Sequence, residues 1–286
     1  MNHHTRHTLS RVLLYLAVLL IAIWTVAPYL WLVISSISYK SELLTVPLRW
    51  FPAHPTLENY QKLFFGGGAT GESISLFLLS LKNSAIIAFF ATSICLILGS
   101  LSAYALSRLA FPGSRHYLLL LMAAQLLPPV SIVIPGYIIL KKLALIDKFE
   151  GVVLVYLSFI LPFVIWILRG YFSTIPPELE DAARIDGCTR LQALYKVVLP
   201  LAGPGLASTA VYAFIASWNE FFYAFIYTSV NAKTLPVLIA EFSSKFGPDY
   251  ISMSAAGVVA SLPPLLLALL FQKYLVRGLT AGAVKG

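Results

Sequence analysis

Apolar residues run along this chain in long unbroken stretches separated by short polar segments. Six stretches stand out, at 12–34, 84–106, 117–140, 152–168, 202–230 and 253–276. A helix rises about 1.5 Å per residue, so about 20 apolar residues span the hydrocarbon of a bilayer. Only helices and closed barrels satisfy every backbone group there, and continuous apolarity without two-residue alternation selects helices. The pattern predicts an all-α membrane protein with six transmembrane helices and both termini on one side. The first stretch holds 23 residues without a charge, too long for a signal-peptide core, so it is expected to be retained as an anchor.

The longest connection, 35–83, is rich in turn formers, with Pro47, Pro52, Pro55 and the run Gly66-Gly67-Gly68. It is expected to carry short surface elements, with Leu76 to Leu81 extending the second helix outward. Prolines fall inside several spans: Pro128, Pro129 and Pro135 in the third, Pro162 in the fourth, Pro204 opening the fifth, Pro263 and Pro264 in the sixth. Each removes a backbone donor and favours a kink, which membrane helices tolerate where neighbours or a wet cavity satisfy the freed carbonyls.

The composition fits this picture: of 286 residues, 59% are hydrophobic and 11% charged. The net charge of +8 sits in segments flanking the spans, where it sets topology and meets anionic headgroups, so nucleic acid is not an expected partner. With the N-terminus inside, Arg6, Arg11, Arg108, Arg115, Arg169, Arg184, Arg190 and Arg277 lie inside and Arg49 alone outside. This predicts an N-in/C-in arrangement. Cys95 in the second span and Cys188 in a polar loop are not placed to pair, and His3, His4 and His7 are expected in a solvated tail.

The polar segment at 169–201, between the fourth and fifth spans, has more local grammar than a simple turn. Pro176 and Pro177 open a helix in which Glu178, Glu180 and Asp181 complement the positive end of the dipole, and Gly187 closes it as a left-handed cap. Thr189 and Gln192 have the spacing of a capping box and start a second helix running to Pro200. Leu179, Ala182, Ala183 and Asp186 share one face of the first helix, and Leu191, Leu194, Tyr195 and Val198 one face of the second. The small alanines admit a close neighbour, and the larger residues are expected to anchor the pair.

These residues resemble the coupling loop, or EAA loop, of membrane subunits of binding-protein-dependent ABC importers. That family's pattern is E-A-A, three residues, G, nine residues, I-x-L-P. Here it reads Asp181-Ala182-Ala183, then Gly187, then Val197-Val198-Leu199-Pro200 at the same spacing, with Asp for Glu and Val for Ile, and with Glu180 beside the motif. The segment Ser217-Trp218-Asn219-Glu220 and the tail from Gly278 to Gly286 resemble the carbohydrate branch, in particular its maltose-type smaller permease.

The resemblance, which runs over nearly the whole chain, implies a loop that docks in a cleft of an ATP-hydrolysing subunit. Closure of two such subunits then switches the helices between inward- and outward-facing states. Carried over, Glu180, Asp181, Ala182, Ala183, Asp186 and Gly187 form the docking helix and its cap, while Val197, Leu199 and Pro200 tie it to the fifth span. The implied partners are a second homologous permease, two ATPase subunits binding ATP and Mg, an extracytoplasmic solute-binding protein, a sugar and the lipid of a prokaryotic cytoplasmic (inner) membrane. This chain would itself carry no cofactor and would not be an enzyme.

Other readings are weaker. The A-A-x-x-x-G segment followed by a second helix also suggests a DNA-binding helix-turn-helix, but residues 178–196 hold four acids and three bases, the wrong sign for phosphates. Gly66 to Ser73 nearly spells a phosphate-binding loop, yet Glu72 stands where the lysine must be. Glu220, beside Asn219, is the one clearly intramembrane acid; it is a candidate for the translocation pathway, with Tyr223 and Gln125, or a hydrogen-bonding group between helices. Tyr212 and Trp218 are further residues of a type that stacks on sugars. A secondary active transporter of a small solute would carry its own coupling in intramembrane charges and inverted repeats, and the chain shows one such acid and no repeat. A membrane-embedded enzyme would need converging His, Asp or Glu, and no such cluster is evident.

Overall fold

The computed structural model describes residues 3–43, 45–46, 49–65, 72–109, 111–244 and 247–283. Pro47, the run Gly66-Gly67-Gly68 with most of the near phosphate loop, and the final Val284-Lys285-Gly286 lie outside the described residues. The helices are α1 His3–Ser36, α2 Lys40–Leu43, α3 Glu58–Phe65, α4 Glu72–Arg108, α5 Ser114–Ala124, α6 Pro129–Lys142 and α7 Phe149–Thr174. There follow α8 Glu178–Ile185, α9 Arg190–Ala193, a π turn Leu194–Val198, α10 Leu199–Leu201, α11 Gly203–Trp218, α12 Phe222–Tyr227, α13 Leu235–Glu241 and α14 Tyr250–Ala283. Two two-residue strands, Ser243–Ser244 and Gly247–Pro248, pair antiparallel between α13 and α14 and are a small exception to an otherwise helical chain. Because α1 begins at His3, the histidines expected in a tail belong to a helical backbone.

Among the described residues four helices are long and apolar enough to cross a membrane: Arg11–Ser36, Leu76–Arg108, Phe149–Thr174 and Tyr250–Tyr274. Two bent pairs raise the number to six if each pair is one span. The expected helix over 117–140 is divided, with His116–Ala124 and Pro129–Lys142 meeting at 92°. Pro128 is extended at φ −64° and ψ 132°, and neither it nor Pro129 has an N–H to carry the ladder across. Pro135, Pro162, Pro263 and Pro264, by contrast, lie inside helices that continue through them.

The fifth stretch, 202–230, is also not one helix. It divides into α11 and α12 around Asn219-Glu220-Phe221. At its start the segment Arg190–Leu201 turns by 82° into Gly203–Trp218.

The chain forms two compact units, Met1–Phe77 with Ile239–Ser261, and Leu78–Leu238 with Leu262–Gly286. In the first, Asn59 Nδ2 donates to the carbonyls of Ser36 (2.8 Å) and Ser38 (3.1 Å), and the Ser36 hydroxyl meets that of Tyr60 at 2.6 Å. These bonds hold α3, through Asn59 and Tyr60, against the end of α1. Tyr29 and Ser261 hydroxyls, 3.0 Å apart, join α1 to α14.

The second unit is built around α7. Tyr156, Ile160, Val164, Leu168 and Phe172 recur at helical spacing and are buried. They pack in one cluster with Ile87, Ala91 and Cys95 of α4 and with Leu194, Val198 and Ala202 of the segment after α8. A Cβ on Gly205 would strike the Tyr171 ring, so glycine is what lets α11 approach α7 immediately after the 82° turn.

Candidate functional site

The polar segment expected to form two helices does so, and each end is closed by the chemistry its sequence announces. Cys188 N–H donates to the Ala183 carbonyl (3.0 Å) and Gly187 N–H to that of Arg184 (3.1 Å), the paired bonds of a Schellman cap with Gly187 at φ +90°. Thr189 then opens α9 with a full capping box: its N–H donates to Gln192 Oε1 (2.8 Å) and its hydroxyl accepts from Gln192 N–H (3.3 Å).

The second helix departs from expectation in pitch. From Leu194 to Val198 it widens to a π turn, closed by Leu199 N–H on the Leu194 carbonyl, and it then continues through Pro200 to Leu201. In an α-helix the Pro200 ring would clash with the Lys196 carbonyl four residues back. The wider turn relieves that clash, as π-bulges commonly accommodate an extra residue.

The extra residue also splits the predicted faces. Leu194 and Val198 are buried in the core of the second unit, whereas Leu191 and Tyr195 are 66% and 73% exposed. Leu179 and Ile185 of α8 are exposed as well, Ile185 at 87%. Asp181, Ala182, Asp186, Gly187 and Pro200 are exposed, and Ala183, Val197 and Leu199 are half-buried. Most of the motif therefore lies on the outside of the hairpin, next to apolar side chains that nothing in this chain covers.

Glu180 is the exception. Its residue is only 5% exposed. Its carboxylate pairs with Arg108 Nε and accepts a 3.0 Å bond from the Tyr104 hydroxyl, so the two last turns of α4 hold the first turn of α8. Arg108 Nη2 also donates to the Ile175 carbonyl at 2.7 Å, at the C-terminal end of α7. The other acid–base pair of the hairpin, Asp181 with Arg184 at 3.7 Å, is open to solvent and contributes little.

Of the candidate pathway residues, the structure brings Glu220 and Tyr223 together and leaves Gln125 apart. Glu220 sits in the break before α12, where its carboxylate accepts from the backbone N–H groups of Tyr223 (2.8 Å) and Ala224 (3.0 Å). It thus caps the short helix of its own segment, a reading that sequence inspection did not reach. Tyr223 is 8% exposed and stacks with Phe159 at 5.6 Å and Tyr227 at 6.1 Å. Asn219 is exposed beside the break, and Gln125 is exposed at the end of α5.

A second cluster went unnoticed in the sequence. Asp147, at φ +56°, accepts from the backbone N–H groups of Ser229 (2.9 Å), Asn231 (3.0 Å) and Ala232 (3.1 Å) and from the Ser229 hydroxyl (2.9 Å). From the other side Asn83 Nδ2 donates to the carbonyls of Asn231 and Lys233, each at 2.9 Å, and Ser84 Oγ accepts from Leu235 N–H at 2.8 Å. The turn before α7 and the helix α4 therefore fix the 229–235 connection from two sides.

A helical membrane chain with broken apolar spans and a capped, apolar-faced hairpin between two of them has the layout of a transport subunit worked from outside itself. Residues 96–281 match the family of binding-protein-dependent transport system inner membrane components, and the chain belongs to that family. The permease protein MalG of the trehalose/maltose transport system of Thermococcus litoralis is 38% identical over 282 residues, covering 97% of this chain and 98% of the relative. The trehalose transport system permease protein SugB of Mycobacterium tuberculosis is 38% identical over 277 residues, covering 95% and 97%. A bacterial ABC transporter involved in the import of the acidic polysaccharide alginate has the same fold in one of its chains, with a TM-score of 0.79 at 23% identity, covering 96% of this chain and 98% of that one. Membership makes the chain a multi-pass inner-membrane permease and the non-catalytic membrane subunit of an ABC transporter. A binding-protein-dependent system also implies an ATPase and a binding protein as partners.

Proposed function

We propose that this chain is one of two permease halves of an ATP-driven carbohydrate importer, with an oligosaccharide as cargo. It pairs with a second homologous permease, two ATPase subunits and an extracytoplasmic solute-binding protein. The chain forms a single transmembrane domain that crosses the membrane six times, N-in and C-in, by α1, α4, α5 with α6, α7, α11 with α12, and α14. The hairpin 178–200 faces the cytoplasm and seats in the ATPase. Asp181, Ala182, Ala183, Asp186 and Gly187 form the docking turn and cap, with Ile185, Leu191 and Tyr195 as its apolar contact. Val197, Leu199 and Pro200 carry the motion into the fifth span.

The single observation behind this reading is the hairpin: the family's motif spacing on two capped helices that turn the apolar side chains Ile185, Leu191 and Tyr195 outward. A carbohydrate cargo is supported by the trehalose and maltose named for the relatives. Asn219, exposed at a helix break, fits a polar pathway, since irregular backbone at membrane depth is tolerated where it lines a wet cavity or is buried in protein. Glu220 and Tyr223 shape the same break, and Gln125 stands at the other one.

Proteoliposomes containing both permeases, the ATPase and the binding protein test the reading. Labelled oligosaccharide is expected to accumulate only with ATP, the ATPase and the binding protein all present. Accumulation driven by an ion gradient without the ATPase would support a secondary transporter instead.

A further inference from the structure

We propose that Glu180 is not a docking residue but a positioning residue. It locks the hairpin to the end of α4 so that displacement of the hairpin moves that helix in register. The inference rests on the docking role given to the hairpin above.

Four observations carry it. Glu180 belongs to the hairpin, but its carboxylate turns inward, at 7% side-chain exposure against 12% for Arg108. Three elements meet at the pair: α8 through Glu180, α4 through Tyr104 and Arg108, and the end of α7 through the Ile175 carbonyl. The second helix of the hairpin joins as well, through the Arg190 carbonyl 3.4 Å from the Tyr104 hydroxyl. Finally, the hairpin also rests on the unit through apolar side chains, Leu194, Val198 and Leu199 among them.

The difference in kind matters. Apolar side chains keep most of their attraction when one surface slides over another, whereas a buried, hydrogen-bonded ion pair loses its partner outright and leaves a bare charge. The carboxylate also lies in the first turn of α8, where the helix dipole favours an anion. Leu194 and Val198 hold the hairpin against the unit, and Glu180 fixes where along α4 it is held.

The test uses the complete reconstituted transporter, reading ATPase retention, ATP hydrolysis and sugar uptake in the same vesicles. Glu180→Gln is expected to keep the ATPase bound and hydrolysing while sugar imported per ATP falls at least about tenfold, within the range of ordinary coupling energies. Tyr104→Phe should shift the same ratio in the same direction by less. The double variant Glu180→Gln with Arg108→Gln should be no worse than Glu180→Gln alone, as for two groups acting as one unit.

An unchanged ratio in Glu180→Gln overturns the proposal, and so does loss of the ATPase from that variant, which would make Glu180 a docking residue. Should Glu180→Gln fail to accumulate, Tyr104→Phe decides, because it removes one hydroxyl and an unchanged ratio there is equally fatal. Ile185→Asp separates the two readings. It is expected to release the ATPase, and an ATPase that stays bound counts against the docking role itself, whatever the Glu180 ratio shows.

Discussion

Glu220 and Asp147 are both carboxylates that bind nearby backbone N–H groups, yet only one was visible in advance. Glu220 was conspicuous as an acid inside an apolar stretch, but its cap on α12 was not, because nothing in the sequence marks a helix break at Asn219. Nothing in the local sequence singles out Asp147, since the donors it serves lie 82 to 85 positions away. Burial alone would raise its pKa. The N–H groups of Ser229, Asn231 and Ala232 and the Ser229 hydroxyl more than offset that and hold it well below the usual 3.8. A depressed folded-state pKa contributes stability that is complete above about pH 4 and is lost as pH falls towards the folded value. Asp147→Asn should therefore cost about 1 kcal/mol at neutral pH, a low figure for bonds to a charge because the site is partly solvated. The gap from the parent in thermal unfolding or in proteolysis of the 229–235 connection should narrow steadily below about pH 4; a gap independent of pH would show that the ionised form is not what holds the loop. Glu180 was equally hard to foresee. Its position beside the motif suggested an outward role, and its true partner lies 72 residues upstream.

Elements closed by local chemistry were the readable ones. The Schellman glycine, the Thr189 capping box and the proline-led start of α8 are each settled within six residues of chain, so sequence alone located them. The π turn was not readable, because a heptad-like face at Leu191, Leu194, Tyr195 and Val198 looks the same whether or not the helix widens. Prolines were a mixed guide. Pro128 and Pro129 divide the third stretch, while Pro135, Pro162, Pro263 and Pro264 stay within continuous helices. Two expectations belong at this scale. Gly187→Pro cannot take φ +90° and loses the N–H bonded to Arg184, so ATP hydrolysis should continue while uptake falls, with all the spans still inserted by protease protection. Thr189→Ala removes half of the capping box and should lower stability by about 1 kcal/mol, with little effect on uptake per ATP.

At the scale of the whole molecule, hydropathy correctly gave a helical membrane protein. It could not show that the third stretch is an angled pair of helices or that the fifth is interrupted at Asn219-Glu220-Phe221. The first helix is revealing: none of the most apolar part of Arg11–Ser36 is buried within the chain. A surface that large and apolar needs lipid or another subunit. Expressed without its partners, the chain is expected to insert but not to move sugar. Adding the second permease, the ATPase, the binding protein and ATP together should restore uptake, and sugar movement by this chain alone in vesicles would contradict a divided machine.

The π turn at Leu194–Val198 has one more consequence, a matter of angular phase. Each residue of an α-helix advances the side chains by about 100°, so the extra residue accommodated there sets the azimuth at which Leu191 leaves the membrane domain relative to Pro200. Tightening that turn to α pitch with the same number of residues would keep every cap, yet it would swing the apolar face about 100° around its axis. A plug of the right shape would then meet its socket at the wrong clock position.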